Sequence, residues 1–459
     1  MLSDYLIVGG VAAVATWLLT FPARWLAERT GAIVMPDSER VHLRPTPTLG
    51  GAAMFVAFGI AMAIASLLGP FRNGAFSHSS EPLGVVVAAA VIFGVGLVDD
   101  LRELSAPAKV AGQVLAATAL YYFGVTMYYF KIPFSQSVLV LSSSVTPLVT
   151  ALWVVGIANA VNLIDGLDGL AAGVVGIAAA AFAVYGVRLE ELGRLTSDSI
   201  GPLVAAIVAG VCLGFLPHNF HPAKIFMGDS GAMLLGLLMA AATAVVGGRT
   251  ADDVSGHTYF FFAPVVIPLV VLGVPILDTA FAIVRRTARR TGVTTRDLAH
   301  LHNRLMQMGH GQRRAVLILW TWTALLSGFV LFPLYENRVN AYIPFGVAGL
   351  GVLLYSLFHP GVRHRATKVA REPDQRDSEP MASPAPGEPG KVGLESPAGV
   401  GGAPGSAGHR ILIAHAVVAQ SERPLNGETE GDPGADGASS GAWVSRTQAI
   451  AASPERPSS

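Results

Sequence analysis

The stretch LGVVVAAAVIFGVGLVDDLREL, residues 83–104, governs the interpretation of the whole chain. Residues 83–98 are uncharged and apolar, Asp99 and Asp100 follow at once, and the next basic residue is Arg102. Two adjacent carboxylates at the end of an apolar segment are costly to place unless a cation or a proton interacts with them. The alternative is a membrane helix that simply ends in two acids at the surface.

The composition is that of a polytopic membrane protein. Hydrophobic residues make up 52% of the 459 residues, charged residues only 14%, and the mean hydropathy is +0.52. Soluble domains carry about 25% charged residues, so a soluble protein is excluded. The formal net charge of zero gives no reason to expect a nucleic-acid partner. The single Cys212 excludes an intramolecular disulfide.

Apolar runs of membrane-spanning length recur along the chain. They predict an all-α polytopic protein with about eleven transmembrane helices. The predicted spans are residues 5–21, 49–69, 83–98, 109–129, 145–161, 170–187, 200–217, 231–247, 260–284, 315–333 and 341–358.

Basic residues predict the orientation of these spans. Asp4 is the only charge before the first span, whereas Arg24 and Arg29 follow it, which favours an uncleaved span with its N-terminus outside. Fourteen Lys and Arg residues then lie in the short loops on one side and six on the other. The richer side is predicted to be cytoplasmic, and the C-terminus with it.

The composition changes near residue 366 to Pro, Gly, Ser and Ala with few aromatics. Such a segment cannot bury enough apolar surface to offset the entropy of ordering. We therefore predict a membrane-embedded domain at residues 1–365 and a disordered cytoplasmic tail at residues 366–459.

Unusual polar residues collect on the predicted cytoplasmic side, as a shared site would require. His42 and Arg44 in the first loop could neutralise an anionic group, although positive-inside anchoring explains the arginine equally well. Lys109 and Gln113 follow the acidic pair and share one helix face. Lys109 is either a snorkelling anchor or a phosphate ligand near the carboxylates.

The segment NAVNLIDGLDGLAAG, residues 159–173, carries four more polar side chains. Asn159 and Asn162 are three residues apart, as are Asp165 and Asp168, so each pair would share a face in helical geometry. N-capping of the next helix by Asp168 is the structural alternative. It explains one of these residues but not all four.

The segment PHNFHPAKIFMGDSGAM, residues 217–233, places Asp229 at the start of an apolar helix. A metal-bridged phosphate could meet helix N–H groups there, and plain N-capping by Asp229 is the alternative. Phe226 could stack on a base, although a membrane-facing Phe is commoner.

The longest predicted cytoplasmic loop, residues 285–314, is basic and contains His300 and His302. In a helix these two histidines point about 200° apart, so only one can face a shared ligand. Their spacing is not that of a metal-binding pair four residues apart. The basic face suits nucleotide phosphates or anionic lipid headgroups.

Five motifs together resemble, in order and spacing, the polyprenyl-phosphate N-acetylhexosamine-1-phosphate transferases. They are DDLREL with Lys109 and Gln113, NAVNLIDGLDGLAAG, NFHPAKIFMGDSG, PILDT at residues 275–279, and HLHNRL. The resemblance covers roughly residues 1–358 and not the tail.

This resemblance implies that sugar 1-phosphate passes from a cytosolic UDP-sugar to a polyprenyl phosphate in the inner leaflet of the cell membrane. UMP leaves, Mg²⁺ is the expected cation with Mn²⁺ as its alternative, and a homodimer is compatible with this reading. The implied catalytic residues are Asp99 and Asp100, with Asp229 and Asp100 on the metal and Lys109, His42 and Arg44 on the lipid phosphate. The implied nucleotide-sugar residues are Asn159, Asn162, Asp165, Asp168, Asn219, Phe226, His300, His302 and Arg304.

The chain departs from the family pattern at Asn303, where many relatives have another His. It also lacks the proline-led triple-His loop of the peptidoglycan branch, so it resembles more closely the branch that uses UDP-N-acetylglucosamine. The same reaction on UDP-N-acetylmuramoyl-pentapeptide is the nearest alternative.

The residues also suggest how the chemistry would proceed. A phosphate attacking a pyrophosphate brings several negative charges together, which a divalent cation at Asp229 and Asp100 would offset. Asp99 either accepts the lipid phosphate's last proton or joins a covalent aspartyl-phosphate route. An ion-coupled transporter is the rival class, but transporters place such acids near the bilayer midplane and often in repeated halves.

Overall fold

A computed structural model describes residues 2–35, 44–131, 138–196, 198–247, 305–306, 308, 310–332, 335 and 343–358, together with Gly273. These residues belong to one compact unit. The predictions for His42, His300, His302, Arg304 and the tail at 366–459 lie outside the described residues and stay predictions.

Helices account for most of the described residues. In chain order they are α1 (Leu2–Thr30), α2 (Gly50–Leu67), α3 (Gly69–Asn73), α4 (Ala75–His78), α5 (Glu81–Arg102), α6 (Ala106–Tyr122), α7 (Thr146–Ile164), α8 (Leu170–Glu191), α9 (Gly201–Asn219), α10 (Gly228–Gly247), α11 (Gln312–Leu331) and α12 (Ile343–Phe358). Four short strands form two antiparallel pairs, β1 (Ile33–Val34) with β2 (Thr46–Pro47), and β3 (Tyr129–Lys131) with β4 (Val138–Val140).

Eight of the described helices, α1, α2, α5, α7, α8, α9, α10 and α11, are long and apolar enough to cross a membrane. The helices α6 and α12, of 17 and 16 residues, occupy two more of the predicted spans. The prediction of an all-α polytopic membrane protein is confirmed at this level. Apart from Gly273, the predicted span at 260–284 lies outside the described residues, and the count of eleven and the orientation of the termini stay predictions.

The span predicted at 109–129 is wrong in its bounds. The helix α6 begins at Ala106 with a proline in its first turn, and it ends at Tyr122, just before Gly124 with φ +89°. Pro fits the first turn of a helix because its missing N–H has no partner there, and Gly adopts positive φ without steric cost. These two residues set the ends that hydropathy alone misplaces.

The helix α10 lies at the centre of the bundle. Within its spanning window 94% of residues are buried, against 22% for α1. It packs against α2, α5, α7 and α9. A helix that is apolar on every side is expected to be surrounded by protein, so the polar first turn of α10 is brought between the ends of its neighbours.

Small residues allow these helices to approach closely. A Cβ on Gly236 of α10 would lie 2.5 Å from the Cα of Ala158 on α7, and one on Gly210 of α9 would lie 2.0 Å from the carbonyl oxygen of Gly9 on α1. Lipid tails supply little hydrophobic drive for association, so close packing of this kind stabilises helix pairs in membranes.

Backbone hydrogen bonds fix the segment that precedes α10 against the start of α2. The N–H of Phe226 donates to Pro47 O at 2.8 Å, and the N–H groups of Gly50 and Gly51 donate to Phe226 O at 3.0 Å and Met227 O at 2.9 Å. The entry into α10 is therefore held from one side by α2.

Candidate active site

Lys109 joins two carboxylates that come from different helices. Asp99 lies in the last turn of α5, Lys109 in the first turn of α6 and Asp229 in the first turn of α10. The Lys109 Nζ atom is 2.5 Å from Asp99 Oδ2 and 2.8 Å from Asp229 Oδ2. Three residues that the sequence predicted to share a site thus form one cluster at the ends of three helices.

The three side chains differ in accessibility. Asp99 is 5% exposed, whereas Lys109 is 29% and Asp229 is 30% exposed. The second oxygen of Asp99, Oδ1, accepts the N–H of Leu104 at 2.6 Å. Asp99 is therefore held on both oxygens, while Lys109 and Asp229 present polar atoms to the space beside the helix ends.

Asp100 points away from this cluster and toward the backbone of α10. Its Oδ1 accepts the N–H of Asp229 at 2.7 Å, and its Oδ2 accepts the N–H of Ser230 at 3.2 Å and the Ser230 hydroxyl at 2.6 Å. The carboxylate that caps α10 is therefore that of Asp100, so the alternative interpretation of Asp229 as the cap is wrong.

Asn159 pairs with a glutamine from α6. Its Nδ2 donates to Gln113 Oε1 at 2.7 Å and to Val155 O at 2.8 Å, and Gln113 Nε2 returns a long bond to Asn159 Oδ1 at 3.4 Å. Gln113 is fully buried. Asn162 lies one turn further along α7 and is half-buried.

Asp165 follows the end of α7 and is close to several other acids. Burial raises its pKa to about 8, and the charges of Asp229, Asp100 and Asp168 act in the same direction. Since the charge of Asp229 acts on it, Asp165 belongs to the same anionic region as Asp229. An accumulation of carboxylates of this kind favours a bound cation.

Asp168 binds the loop between α9 and α10. Its Oδ2 is 2.7 Å from His221 Nδ1 and accepts the N–H of Ala223 at 3.1 Å. The carbonyl of His221 in turn accepts Arg313 Nε at 3.2 Å, which links the start of α11 to this loop. The N-cap of α8 is Gly169 with φ +76° and no side-chain cap, so the alternative interpretation of Asp168 as a cap is wrong.

Asn219 connects the two loops that carry these acids. Its Oδ1 accepts the N–H of Gly169 at 3.0 Å, and its Nδ2 donates to Ile225 O at 3.0 Å. It is buried, with 2% of its surface exposed. Both the oxygen and the nitrogen of the amide are hydrogen-bonded within the protein. Asn219 therefore supports the predicted nucleotide-binding region by holding the two loops together.

Two further predicted residues are described. Phe226 is half-buried beside the start of α2, where its backbone bridges to Thr48. Arg44 is exposed just before β2, and its carbonyl accepts the Thr46 hydroxyl at 3.1 Å.

The residues present fit a hard divalent cation that substrate helps to bind. Mg²⁺ is commonly held by one or two carboxylates together with phosphate oxygens and water. Asp99 and Asp229 already converge on one cationic atom, the Nζ of Lys109. Within the described ranges no group of three or more acidic, His or Cys side chains is arranged to hold a metal. Phosphate oxygens and water commonly complete the coordination of Mg²⁺ in proteins.

Comparison with known proteins gives consistent matches. The family model described as glycosyl transferase family 4 matches residues 82–247. A decaprenyl-phosphate N-acetylglucosaminephosphotransferase of Mycobacterium tuberculosis is 40% identical over 77% of this chain and 89% of its own length. A probable undecaprenyl-phosphate N-acetylglucosaminyl 1-phosphate transferase of Bacillus subtilis is 33% identical over 71% and 82%, respectively.

A phospho-N-acetylmuramoyl-pentapeptide-transferase of Desulforudis audaxviator is 34% identical over 69% of this chain and 94% of its own length. The family match spans the acidic pair, Lys109 and Asp229. With a relative at 40% identity that is covered almost end to end, the chain belongs to glycosyl transferase family 4, the polyprenyl-phosphate N-acetylhexosamine-1-phosphate transferases.

Proposed function

We propose that the protein transfers N-acetylglucosamine 1-phosphate from UDP-N-acetylglucosamine to a polyprenyl phosphate and releases UMP, as the first lipid-linked step of a cell-wall or surface glycan. The observation that carries this proposal is the cluster of Asp99, Lys109 and Asp229. The 40% identity to a decaprenyl-phosphate N-acetylglucosaminephosphotransferase supports the choice of sugar and of lipid class.

The cluster suits a reaction between two anions. A polyprenyl phosphate and a nucleotide diphosphate repel each other, and cationic groups fixed between them lower that cost. Lys109, in the first turn of α6, supplies one such positive charge. Mg²⁺, or Mn²⁺ in its place, would be held by Asp229 and would supply further positive charge for the diphosphate and the leaving UMP.

Asp99 is assigned as the base that takes the last proton of the lipid phosphate. Its carboxylate is buried and oriented by Lys109 and by the Leu104 N–H, so it is pre-positioned for proton transfer. Direct attack on the sugar-bearing phosphorus then needs no covalent intermediate. An aspartyl-phosphate route would instead require one Asp99 oxygen to bond to phosphorus in place of its contact with Lys109 or with the Leu104 N–H.

The nucleotide-sugar is assigned to the opposite side of Asp229. Asp165 and Asp168 lie in the loop after α7, and Asn219 ties that loop to the segment carrying Phe226. We assign Asp168 and Phe226 to the base, and Asn159, Asn162 and Asp165 to the sugar and phosphates. His300, His302 and Arg304 are assigned to the donor as well, and His42 and Arg44 to the lipid phosphate, from the sequence alone.

The location of the acids favours a transferase over an ion-coupled transporter. They lie in the last turn of α5, in the first turn of α10 and in the loop after α7, rather than halfway along a span. A lipid headgroup and a soluble nucleotide can meet only at such an edge. We assign this edge to the cytoplasmic face of the cell membrane, on the distribution of basic residues.

The test is a donor assay. Membranes containing the protein receive labelled UDP-N-acetylglucosamine, a polyprenyl phosphate and Mg²⁺, and lipid-linked label and UMP are measured. We expect both products, their loss on chelation of the cation, and their loss in Asp229→Asn. The matched control is Glu28→Gln, which removes an exposed carboxylate paired with Arg24.

Two results would contradict the proposal. Label appearing only with UDP-N-acetylmuramoyl-pentapeptide would assign the chain to the peptidoglycan branch. Full activity of Asp229→Asn would show that Asp229 does not hold a cation that the reaction needs.

A further inference from the structure

We propose that Asp100 is a positioning residue that, together with Ser230, fixes the first turn of α10, and that it does not bind the cation itself. This inference rests on the proposed function for its link to catalysis. It replaces the catalytic and metal-ligand roles that the sequence suggested for Asp100.

Both oxygens of Asp100 accept hydrogen bonds from the first turn of α10. Three donors, the N–H of Asp229 and the N–H and hydroxyl of Ser230, reach them at 2.7, 3.2 and 2.6 Å. Two of these donors are backbone groups at a helix N-terminus, where a negative charge is stabilised. A cation at Asp100 would have to compete with these three donors, of which the Ser230 hydroxyl also reaches Met227 O at a longer 3.5 Å.

Three glycines surround the cap that Asp100 forms on α10. Gly228 has φ +70°, and a Cβ there would lie 2.4 Å from Asp100 Oδ2. Built on Gly96, a Cβ would lie 2.4 Å from the Ser230 Cα, and built on Gly51 it would lie 2.4 Å from the Ser230 Oγ. Glycines from α2, α5 and α10 thus leave room for this contact and for nothing larger.

The two residues of the acidic pair contact different helices. Adjacent residues in a helix point about 100° apart. Asp99 therefore reaches Lys109 on α6 while Asp100 reaches the backbone of α10. Since Asp229 is the residue whose N–H Asp100 accepts, Asp100 sets where the Asp229 carboxylate stands relative to Lys109.

The experiment uses the full-length protein in detergent and compares Asp100→Asn, Ser230→Ala and Asp229→Asn. Hydrogen–deuterium exchange of peptides covering residues 226–234, measured without divalent cation, reports the cap directly. We expect faster exchange in Asp100→Asn and in Ser230→Ala, and wild-type exchange in Ser66→Ala, which removes an exposed hydroxyl from α2.

Mn²⁺ binding, followed by electron paramagnetic resonance, separates positioning from ligation. We expect Asp100→Asn and Ser230→Ala to bind Mn²⁺ within about 2-fold of wild type and to lose turnover by roughly 10-fold or more, as for a charge-assisted hydrogen bond. Asp229→Asn should lose Mn²⁺ binding. The double variant of Asp100 and Ser230 should be no worse than Asp100→Asn, because both remove the same contact.

Two outcomes would overturn the inference. One is a loss of Mn²⁺ binding in Asp100→Asn with exchange at 226–234 unchanged, since that is the behaviour of a ligand. The other is unchanged exchange in both Asp100→Asn and Ser230→Ala. Failure of the proposed function differs from both, because it would abolish transfer of label in wild type while the exchange result stood.

Discussion

Lys109 donates from Nζ to Asp229 Oδ2 at 2.8 Å although 120 residues separate them in the chain. The same ammonium group contacts Asp99, so one cation serves two carboxylates from two other helices. Removing it leaves two partly buried negative charges side by side, which is costly in both folding and catalysis.

Lys109→Met is therefore expected to lower transfer activity by about 100-fold or more, in the range found when a charge-stabilising donor is removed from an active site. Lys109→Arg should retain part of the activity because it keeps the charge. Lys224→Met, which removes an exposed lysine, is the control and should be active. Wild-type turnover in Lys109→Met would show that the Lys109 charge does not take part in the reaction.

Gly228→Ala is expected to disturb the entry into α10. The residue has φ +70°, and the added Cβ would approach the Asp100 carboxylate to 2.4 Å. A positive φ alone destabilises a residue other than glycine by about 1–2 kcal/mol, and the steric clash of the Cβ adds to this cost. We expect a lower thermal unfolding midpoint and a loss of activity.

Gly59→Ala on α2 is the matched control for that substitution, because a Cβ there would meet no atom within 4 Å. It should leave the unfolding midpoint unchanged or slightly raised. Equal effects of the two substitutions would contradict the clash at Gly228.

Asn219→Ala should reduce stability by removing the link between Gly169 and Ile225. It leaves a buried N–H and a buried carbonyl without partners, at about 1–3 kcal/mol each. Asn219→Asp should also be destabilised, since a carboxylate accepts from Gly169 but cannot donate to Ile225 O. Thermal unfolding measures both, with Asn73→Ala, an exposed site, as the control.

Asp165 gives a prediction for pH. Its pKa is raised from 3.8 to about 8 in the folded protein, so between these values the folded state binds more protons than the unfolded state. Stability must then fall as pH rises through this range. In chelator, the unfolding midpoint of wild type should fall between pH 5 and pH 8 more steeply than that of Asp165→Asn.

The control for the pH experiment is Glu28→Gln, whose pH dependence should follow that of wild type because Glu28 is exposed. If the unfolding midpoint of Asp165→Asn fell more steeply with pH than that of wild type, the effect would have the opposite sign to the one predicted. A raised pKa of Asp165 would then be excluded as its cause. Added Mg²⁺ should reduce the difference between Asp165→Asn and wild type, because a cation stabilises the ionised carboxylates.

The sidedness of the site can be measured with single cysteines in a Cys212→Ala background. Ser105 is exposed at the turn between α5 and α6, next to Lys109, and Ser144 is exposed before α7, at the opposite end of that helix from Asn162. A membrane-impermeant maleimide should label Ser105→Cys in inside-out vesicles only and Ser144→Cys in intact cells only. The reverse pattern would contradict the predicted orientation.

Much of this architecture follows from the sequence. Hydropathy predicts the spans because lipid-facing helices must be apolar, and the convergence of Asp99, Lys109 and Asp229 follows once all three stand at helix ends on one side. The bounds of α6 depend instead on a proline and a positive-φ glycine, which hydropathy averages over.

Several contacts could not be predicted because they depend on how helices rotate and pack. The sequence does not indicate which neighbour Asp99 and Asp100 each contact, nor that Asp168 pairs with His221. From the sequence, Gln113 and Ser230 have no distinguishing feature, because their hydrogen bonds to Asn159 and Asp100 form only when the helices pack together. The sequence supplies the polar side chains, and the packing of the helices determines their hydrogen-bond partners.

The ammonium of Lys109 between two acids has a consequence for how substrates meet the protein. A counter-charge supplied by the chain itself allows the pocket to be assembled as part of folding, before any nucleotide or lipid arrives. Incoming phosphates then encounter a preorganised surface, and their binding free energy is not consumed in arranging side chains.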